Sequence, residues 1–487
     1  MSVKKTIPTK FTNQGHIFAA VGAAVGIANL VLFPARVFNY GGLAFILAFI
    51  LCTFLLGIPL MIAETALGKS HQSDAITTYQ KIGGKHWRYA GMLGVVTNGF
   101  VLSFYIIVAG WALYYLSIYL FSYQDIVTAA AAATAAGHPS IAGIGGLFGA
   151  FVTSLNKVLL FSGVFMIFTV FIVANDISKG IERVSKNFVP FLLVLIIFII
   201  IAIPFVVRDR LNYGNFAFDV SALFKIDSSG RIGIIEAVGQ AFFSLALGAC
   251  TMITFGSHLK KDTNVVANSH YIVHIDTVVA LLGALLVLPL FAASDKVGLD
   301  PTLVFISLVD TFQGFGEPWG RIIGISFFTL FNFAIVTSTI SMLEPSVAYF
   351  TRNNKQERRK YALLIGGVIF ILSIPAILSF NPENSSVFTN FLGYGNRNDG
   401  TMGYFNFILD FFGTFTLLVG TFLLSLFIRS KWSIEQLMEE LTVKNYLPSK
   451  SLKSFLSISL LWITPIFMVL LFVGEFIKLL YKLGMLE

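Results

Sequence analysis

Residues 21–34 of this 487-residue chain read VGAAVGIANLVLFP, an apolar run that contains two glycines and one amide. The run belongs to a candidate helix over residues 16–36, and a helix needs about 20 residues to cross the hydrocarbon of a bilayer. Gly22, Gly26 and Asn29 fall near the middle of that helix, where they predict an interruption. Gly22 and Gly26 also have the GxxxG spacing with which membrane helices pack closely, so a pure packing role stays open here.

The composition extends this membrane character to the whole chain. Hydrophobic residues make up 56% and charged residues 12%, whereas soluble domains carry about 25% charged residues. Several soluble domains are therefore excluded, and we expect an all-α polytopic membrane protein with a single transmembrane domain over residues 1–487. The apolar runs predict about eleven transmembrane helices, at residues 16–36, 41–68, 91–122, 158–174, 188–207, 233–257, 267–293, 320–350, 361–380, 403–428 and 455–476. The Ala/Gly-rich residues 128–146 are expected to pack little.

A second interruption occurs in the sixth predicted helix, where residues 243–249 read FSLALGA. Small-residue breaks at equivalent places of two five-helix halves are typical of an inverted-repeat transporter with its site at the bilayer midplane. We therefore expect a 5+5 inverted repeat with unwound helices 1 and 6. Repeat one covers about residues 16–207 and repeat two about residues 233–428, and an additional helix covers about residues 455–476. Unwound backbone frees carbonyls for cations and amides for an anion, which suits a zwitterionic solute taken up with sodium.

The 33 Lys and Arg residues indicate how the chain is oriented. With the N-terminus in the cytoplasm, about two thirds of them fall on the cytoplasmic side, as the positive-inside rule requires. The strongest cluster, RNNKQERRK at residues 352–360, abuts two spans and lacks interleaved aromatics, so no nucleic-acid partner is expected. Cys52 and Cys250 lie within spans and indicate no disulfide framework. The prediction is a multi-pass protein of a cell membrane, of the bacterial inner-membrane type.

Four of the acids inside the predicted spans call for an explanation, namely Glu64, Asp276, Glu344 and Asp410. A carboxylate at that depth is costly, so each one serves either packing near a helix end or function. Residues 337–341 read TSTIS, and their hydroxyls could bond back to the preceding helical turn. Sodium prefers oxygen ligands, so these hydroxyls opposite freed carbonyls could equally hold a cation.

Five motifs together carry a resemblance to a known family. They are VGAAVGIANLVLFP at residues 21–34, GGLAF at 41–45, GIPLMIAE at 57–64, GQAFFSL at 239–245 and TS at 337–338. In this order they closely resemble the neurotransmitter:sodium symporters, especially the bacterial amino-acid members. The resemblance implies a sodium-coupled transporter rather than an enzyme, with two sodium ions. It implies sodium site 1 at the Ala24 carbonyl, the Asn29 oxygen, Ser244 and Asp276. It implies sodium site 2 at the carbonyls of Gly22, Val25 and Ala334 and the hydroxyls of Thr337 and Ser338.

The resemblance also implies a substrate pocket. Its residues would be Ala23, Ala24, Ile27, Ala28, Val101, Tyr105, Phe243, Ser244, Ala246, Ala249, Ser338 and Met342. Tyr105 would donate to a substrate carboxylate and Phe243 would cover the pocket from outside. Gly26 stands where monoamine transporters of the family carry an aspartate, so an amino acid is favoured over an amine. Small Ala246 and Ala249 favour a hydrophobic side chain. Asp276, with Ala280 one turn on, would supply the negative charge that chloride supplies in chloride-dependent relatives.

The chain departs from the family pattern at both gates. Leu32 occupies the place of the outer-gate arginine, although its acid partner is present as Asp410, and Arg36 one turn away is the expected substitute or an ordinary interfacial arginine. Arg352 occupies the place of the inner-gate acid. Two alternatives stay open, a proton-coupled amino-acid carrier and a non-transporting amino-acid receptor on the same scaffold. The sequence does not distinguish a monomer from a dimer.

Overall fold

The computed structural model describes residues 10–208, 230–291, 304–351, 355–381, 386–394, 403–444, 446–483 and 485. These residues form helices joined by short connections, and no β-strand occurs among them. The expected all-α class is confirmed. Arg352 and the tail residues 1–9 lie outside the described residues.

Within this part of the chain, nine helices are long and apolar enough to cross a membrane. Span 1 is bent, because its two helices, Asn13–Ala24 and Ala28–Asn39, meet at 51°. We take Gly230–Ser244 and Thr251–Ser257 as the two halves of span 6, since they lie between the fifth and seventh spans. The remaining spans are span 2 (Leu43–His71), 3 (Arg88–Phe121), 4 (Leu155–Ala174), 5 (Ser178–Val206), 7 (Val265–Leu288), 8 (Trp319–Thr351), 9 (Glu357–Leu378), 10 (Gly403–Ser430) and 11 (Lys450–Lys482). The nine long helices and the bent span 1 correspond to ten of the predicted spans, and the two helices taken as span 6 correspond to the eleventh.

Burial separates central spans from peripheral ones. The most apolar windows of spans 3 and 8 are each 72% buried, whereas those of spans 5 and 11 are 33% buried. The exposed faces of the peripheral spans carry large apolar side chains such as Phe205, Ile201 and Ile466. With a bilayer as solvent, this pattern places spans 3 and 8 inside the bundle and spans 5 and 11 against lipid.

Short helices fill several connections. Tyr123–Ala135 and Ser140–Val152 form a pair between spans 3 and 4, and Ile434–Leu441 lies between spans 10 and 11. Residues 128–146 pack little, as expected, since only Ala130 and Ile144 among them are buried. Phe148, just after this stretch, is buried, and its ring lies edge-on to Trp111 with centroids 5.2 Å apart.

Candidate functional site

The break in span 1 leaves helical geometry at one residue. Val25 has φ −74° and ψ 110°, which is extended backbone, and its N–H still bonds the Val21 carbonyl at 2.7 Å. The helix resumes at Ala28 as one π-helical turn, Ala28–Leu32, and continues as Phe33–Asn39 with Pro34 in its first turn. Pro34 has no N–H and so cannot donate to a carbonyl of the preceding turn. The interruption predicted from Gly22, Gly26 and Asn29 is present.

The break in span 6 has a different construction. Ala246, Gly248 and Cys250 all have positive φ, at 52°, 83° and 63°, a region that residues with a Cβ seldom adopt. Glu64 of span 2 stabilises the break, since its buried Oε1 accepts the Gly248 N–H at 2.7 Å. A Cβ at Gly248 would lie 2.6 Å from Thr421 Oγ1 and closer still to the Leu417 carbonyl. The close approach of span 10 therefore requires glycine at position 248. Glu64 thus has a structural role, as acceptor for the Gly248 N–H, that its sequence position did not reveal.

Three buried side chains from spans 1, 6 and 7 form a first polar cluster. Ser244 Oγ donates to Asp276 Oδ2 at 2.7 Å, and Asn29 Nδ2 donates to Asp276 Oδ1 at 2.8 Å and Ser244 Oγ at 3.1 Å. Asn29 Oδ1 instead faces the Gly26 N–H at 3.4 Å. The Asn29 amide thus points its nitrogen at the Asp276 carboxylate. To bind a cation through Oδ1, this amide group would have to rotate by about 180°.

A second polar cluster joins the first half of span 1 to span 8. Ser338 Oγ lies 3.4 Å from the Gly22 carbonyl, 3.3 Å from the Val25 carbonyl and 3.1 Å from the Ala334 carbonyl. Thr337 Oγ1 donates to the Ala334 carbonyl at 3.0 Å. The five groups expected for sodium site 2 therefore lie together, and all are oxygens, as a hard cation prefers.

A small cavity lies between the two breaks, with a volume of about 40 Å³. Its lining consists of Ala23, Ala24, Gly26, Ala28, Asn98, Val101, Tyr105, Phe243, Ala246, Ala249, Ser338, Met342 and Leu417. The set contains every residue expected for the pocket except Ile27 and Ser244. Ile27 adjoins it through its backbone, and Ser244 belongs to the first cluster. At this volume a large solute enters only if lining side chains move.

Three lining residues lay outside the expected set, namely Gly26, Asn98 and Leu417. Asn98 Nδ2 donates to the Ala249 carbonyl at 2.6 Å and to Thr251 Oγ1 at 3.1 Å, which fastens span 3 to the break in span 6. An amide in the middle of an apolar span is the signal that could have found it, because such groups need partners inside a membrane.

Tyr105 connects the cavity to both halves of span 1. Its hydroxyl accepts the Ile27 N–H at 3.1 Å. A Cβ at Gly26 would lie 2.5 Å from that hydroxyl and 2.7 Å from Ser338 Oγ. The space between pocket and second cluster is therefore too small for any side chain at position 26.

Glu344, one of the four acids singled out in the sequence, has a cationic partner outside these clusters. Glu344 of span 8 forms a buried ion pair with Arg358, whose Nε also donates to the Val173 and Asn175 carbonyls at 2.8 and 2.7 Å. His258 Nε2 lies 3.9 Å from Glu344, but burial and the nearby Arg358 lower the pKa of His258 to about 3, so the imidazole is neutral. Glu344 thus serves packing of spans 4, 8 and 9, the alternative that the sequence left open.

The expected outer-gate residues do not contact each other. Arg36 Nη1 lies 2.5 Å from Gln240 Oε1, and Asp410 Oδ2 lies 2.5 Å from Lys482 Nζ. The physical reason is that each side chain has a closer partner. Arg36 contacts span 6, and Asp410 contacts span 11. Phe243, the expected lid, does line the cavity.

At the other end, the N-terminal tail closes onto span 6. The Phe11 N–H donates to the His258 carbonyl at 3.0 Å, and the buried Phe11 ring lies edge-on to Phe255 with centroids 5.6 Å apart. An aromatic contact therefore holds residue 11 of the tail against the second half of span 6.

A helical bundle with two broken spans that meet at a buried pocket, flanked by two polar clusters, is the architecture of a secondary transporter. The profile described as "Sodium:neurotransmitter symporter family" matches residues 9–127. The sodium-dependent transporter YhdH of Bacillus subtilis (strain 168) is 33% identical over 433 residues, which cover 88% of this chain and 88% of that protein. A sodium-dependent transporter of Haemophilus influenzae is 27% identical over 75% of this chain and 79% of that protein.

Among solved structures, MhsT in complex with L-phenylalanine superposes with a TM-score of 0.80. It is 31% identical and covers 96% of this chain and 100% of its own. The chain belongs to the sodium:neurotransmitter symporter family. It is accordingly a multi-pass membrane transporter that uses sodium to move a small solute.

Proposed function

We propose that this symporter imports a neutral, hydrophobic amino acid together with two sodium ions by alternating access. The observation that carries the proposal is the pocket, where the Tyr105 hydroxyl meets the Ile27 N–H at 3.1 Å amid largely apolar walls. Tyr105 can turn its own proton towards a substrate carboxylate. The freed N–H groups at the start of the second half of span 1 lie at a positive helix end, which favours an anion there.

The absence of an acid at position 26 supports an amino acid over an amine. Gly26 faces Tyr105 and Ser338 too closely to admit a side chain. A substrate amine therefore has no carboxylate partner at position 26. An amino acid brings its own carboxylate, which balances the charge of its amine. L-phenylalanine in the related MhsT structure is consistent with this class of substrate.

The walls of the pocket support a hydrophobic side chain. Val101, Phe243, Met342 and Leu417 contribute apolar surface, and Ala246 and Ala249 leave room beside the break in span 6. Met342 is flexible and can repack around different shapes. Leucine, methionine and phenylalanine are the expected substrates.

Two sodium ions fit the two polar clusters by the type of donor. In the first cluster the carboxylate of Asp276 balances the charge of one cation. Ser244, the Ala24 carbonyl and, once its amide has turned over, Asn29 Oδ1 supply further oxygens, and the substrate carboxylate completes the set. In the second, Ser338 Oγ lies 3.1–3.4 Å from the carbonyls of Gly22, Val25 and Ala334, and Thr337 Oγ1 donates to the Ala334 carbonyl, so five oxygens lie close together. We further propose that the chain lies in a cell membrane of the bacterial type with a cytoplasmic N-terminus, following the distribution of basic residues.

A binding assay on the purified protein tests the proposal. Radiolabelled leucine, methionine or phenylalanine should bind in sodium and lose at least about 90% of binding in potassium, because sodium and carboxylate share ligands. Unlabelled glycine and alanine should compete less well than these three. Stronger competition by glycine, or binding indifferent to sodium, would contradict the proposed substrate class or the proposed coupling respectively.

A further inference from the structure

The last turns of span 11 carry two lysines that reach acids of two other spans. Lys478 Nζ lies 2.7 Å from Glu236 Oε1 of span 6, and Lys482 Nζ lies 2.5 Å from Asp410 Oδ2 of span 10. The lysines are four residues apart, so they project from one face of the helix. The C-terminal end of span 11 thus supplies cations to spans 6 and 10. Span 1 ends on the same side of the molecule.

The contacts continue from Glu236 to the break in span 1. Glu236 Oε2 lies 3.8 Å from Arg36 Nε, and Arg36 Nη1 lies 2.5 Å from Gln240 Oε1. Gln240 Nε2 donates in turn to the Ala28 carbonyl at 2.9 Å. A chain of polar contacts therefore joins span 11 to the backbone beside the pocket.

Each pair joins a sheltered acid to a more exposed lysine. The side chains of Glu236 and Asp410 are 13% and 30% exposed, those of Lys478 and Lys482 are 49% and 36% exposed, and Lys482 also lies 5.9 Å from the centre of the Tyr394 ring. Shelter from water strengthens attraction between opposite charges, whereas fully exposed pairs contribute little. The lysines are thus placed to hold spans 6 and 10 in the arrangement seen here.

We propose that Lys478 and Lys482 form an outer latch, in which span 11 holds spans 6 and 10 together when the outer entrance is closed. Leu32, in the outer part of span 1, offers no cation to Asp410, and Lys482 supplies that charge from span 11. Opening the entrance requires the outer halves of these spans to separate, which breaks both ion pairs. Loss of either lysine therefore shifts the population towards the outward-open state.

Cysteine labelling tests the latch without reference to any substrate. In a Cys52→Ser, Cys250→Ser background, a Leu32→Cys probe sits half-buried in the outer part of span 1. A membrane-impermeant maleimide should label this probe about three to ten times faster once Lys482→Gln or Lys478→Gln is added, through the larger open population. The matched control is Lys453→Gln, at the other end of span 11, whose pair with Glu435 is exposed on both sides. It should leave the rate unchanged.

Two further variants separate the latch from general loss of structure. Exchanging the charges, Lys482→Asp with Asp410→Lys, should return labelling towards the parent rate, which a merely disturbed fold would not do. Asp410→Asn added to Lys482→Gln should give no further increase, since both remove one interaction. Unchanged labelling in both lysine variants, or independent effects of Lys482 and Asp410, would overturn the latch. Neither result depends on which amino acid is carried.

Discussion

Gly26 is the residue at which pocket and second polar cluster meet. A Cβ there would lie 2.5 Å from the Tyr105 hydroxyl and 2.7 Å from Ser338 Oγ. Gly26→Ala should therefore displace both groups and weaken substrate binding at least about tenfold, a cost of roughly 1.4 kcal/mol. Gly239→Ala is the control, because a Cβ at that span 6 glycine meets nothing within 4 Å. Equal affinities for both variants, measured by equilibrium binding, would show that the close approach is not needed.

Asp276 is the residue whose charge should make chloride dispensable. It is fully buried, and among the described residues Ser244 and Asn29 donate to its side chain, while Ala280, one turn on, has no hydroxyl to offer an anion. Uptake into proteoliposomes should stay within about twofold when gluconate replaces chloride, because the carboxylate already balances the cation. Asp276→Asn should reduce uptake strongly, while Asp125→Asn, at an exposed position, should not. Abolition of uptake by gluconate would refute chloride independence.

At the scale of elements, the sequence predicted both breaks but not what stabilises them. Glycines and an amide in mid-span are visible locally, whereas the Glu64 carboxylate meets Gly248 across 184 positions of sequence. The same holds for Lys478 and Lys482, which read as an ordinary basic end of a span. Arg358 likewise reads as a topology signal, although it pairs with Glu344. Contacts between distant elements depend on packing, which residue spacing within one span does not specify.

The Glu64 carboxylate should stabilise the break in span 6. Glu64→Ala should leave the buried Gly248 N–H without its acceptor and lower stability by about 1–3 kcal/mol. Glu64→Gln keeps an acceptor oxygen and should lose less, so it serves as the matched variant. Thermal unfolding in detergent measures both. Equal melting temperatures for Glu64→Ala and the parent would mean that water or another group satisfies this N–H.

For the whole molecule, sodium and substrate should support each other's binding. Because the second cluster joins span 1 to span 8, a cation there favours the arrangement in which the pocket is formed. Thr337→Val removes one expected ligand, and Thr337 does not line the pocket. Half-saturation should then require about five to a hundred times more sodium, the range of typical coupling. Substrate affinity at saturating sodium should change little.

Thr339→Val is the control, since Thr339 lies on the same helix but bonds Thr169 of span 4 at 3.0 Å. Sodium titrations of substrate binding compare the two variants directly. Reciprocity requires that raising substrate also lowers the sodium concentration at half-saturation by the same factor, since both measure one coupling free energy. If Thr337→Val and Thr339→Val gave the same sodium dependence as the parent, the second cluster would be a packing contact between spans 1 and 8. Sodium would then be coupled through the Asp276 cluster alone.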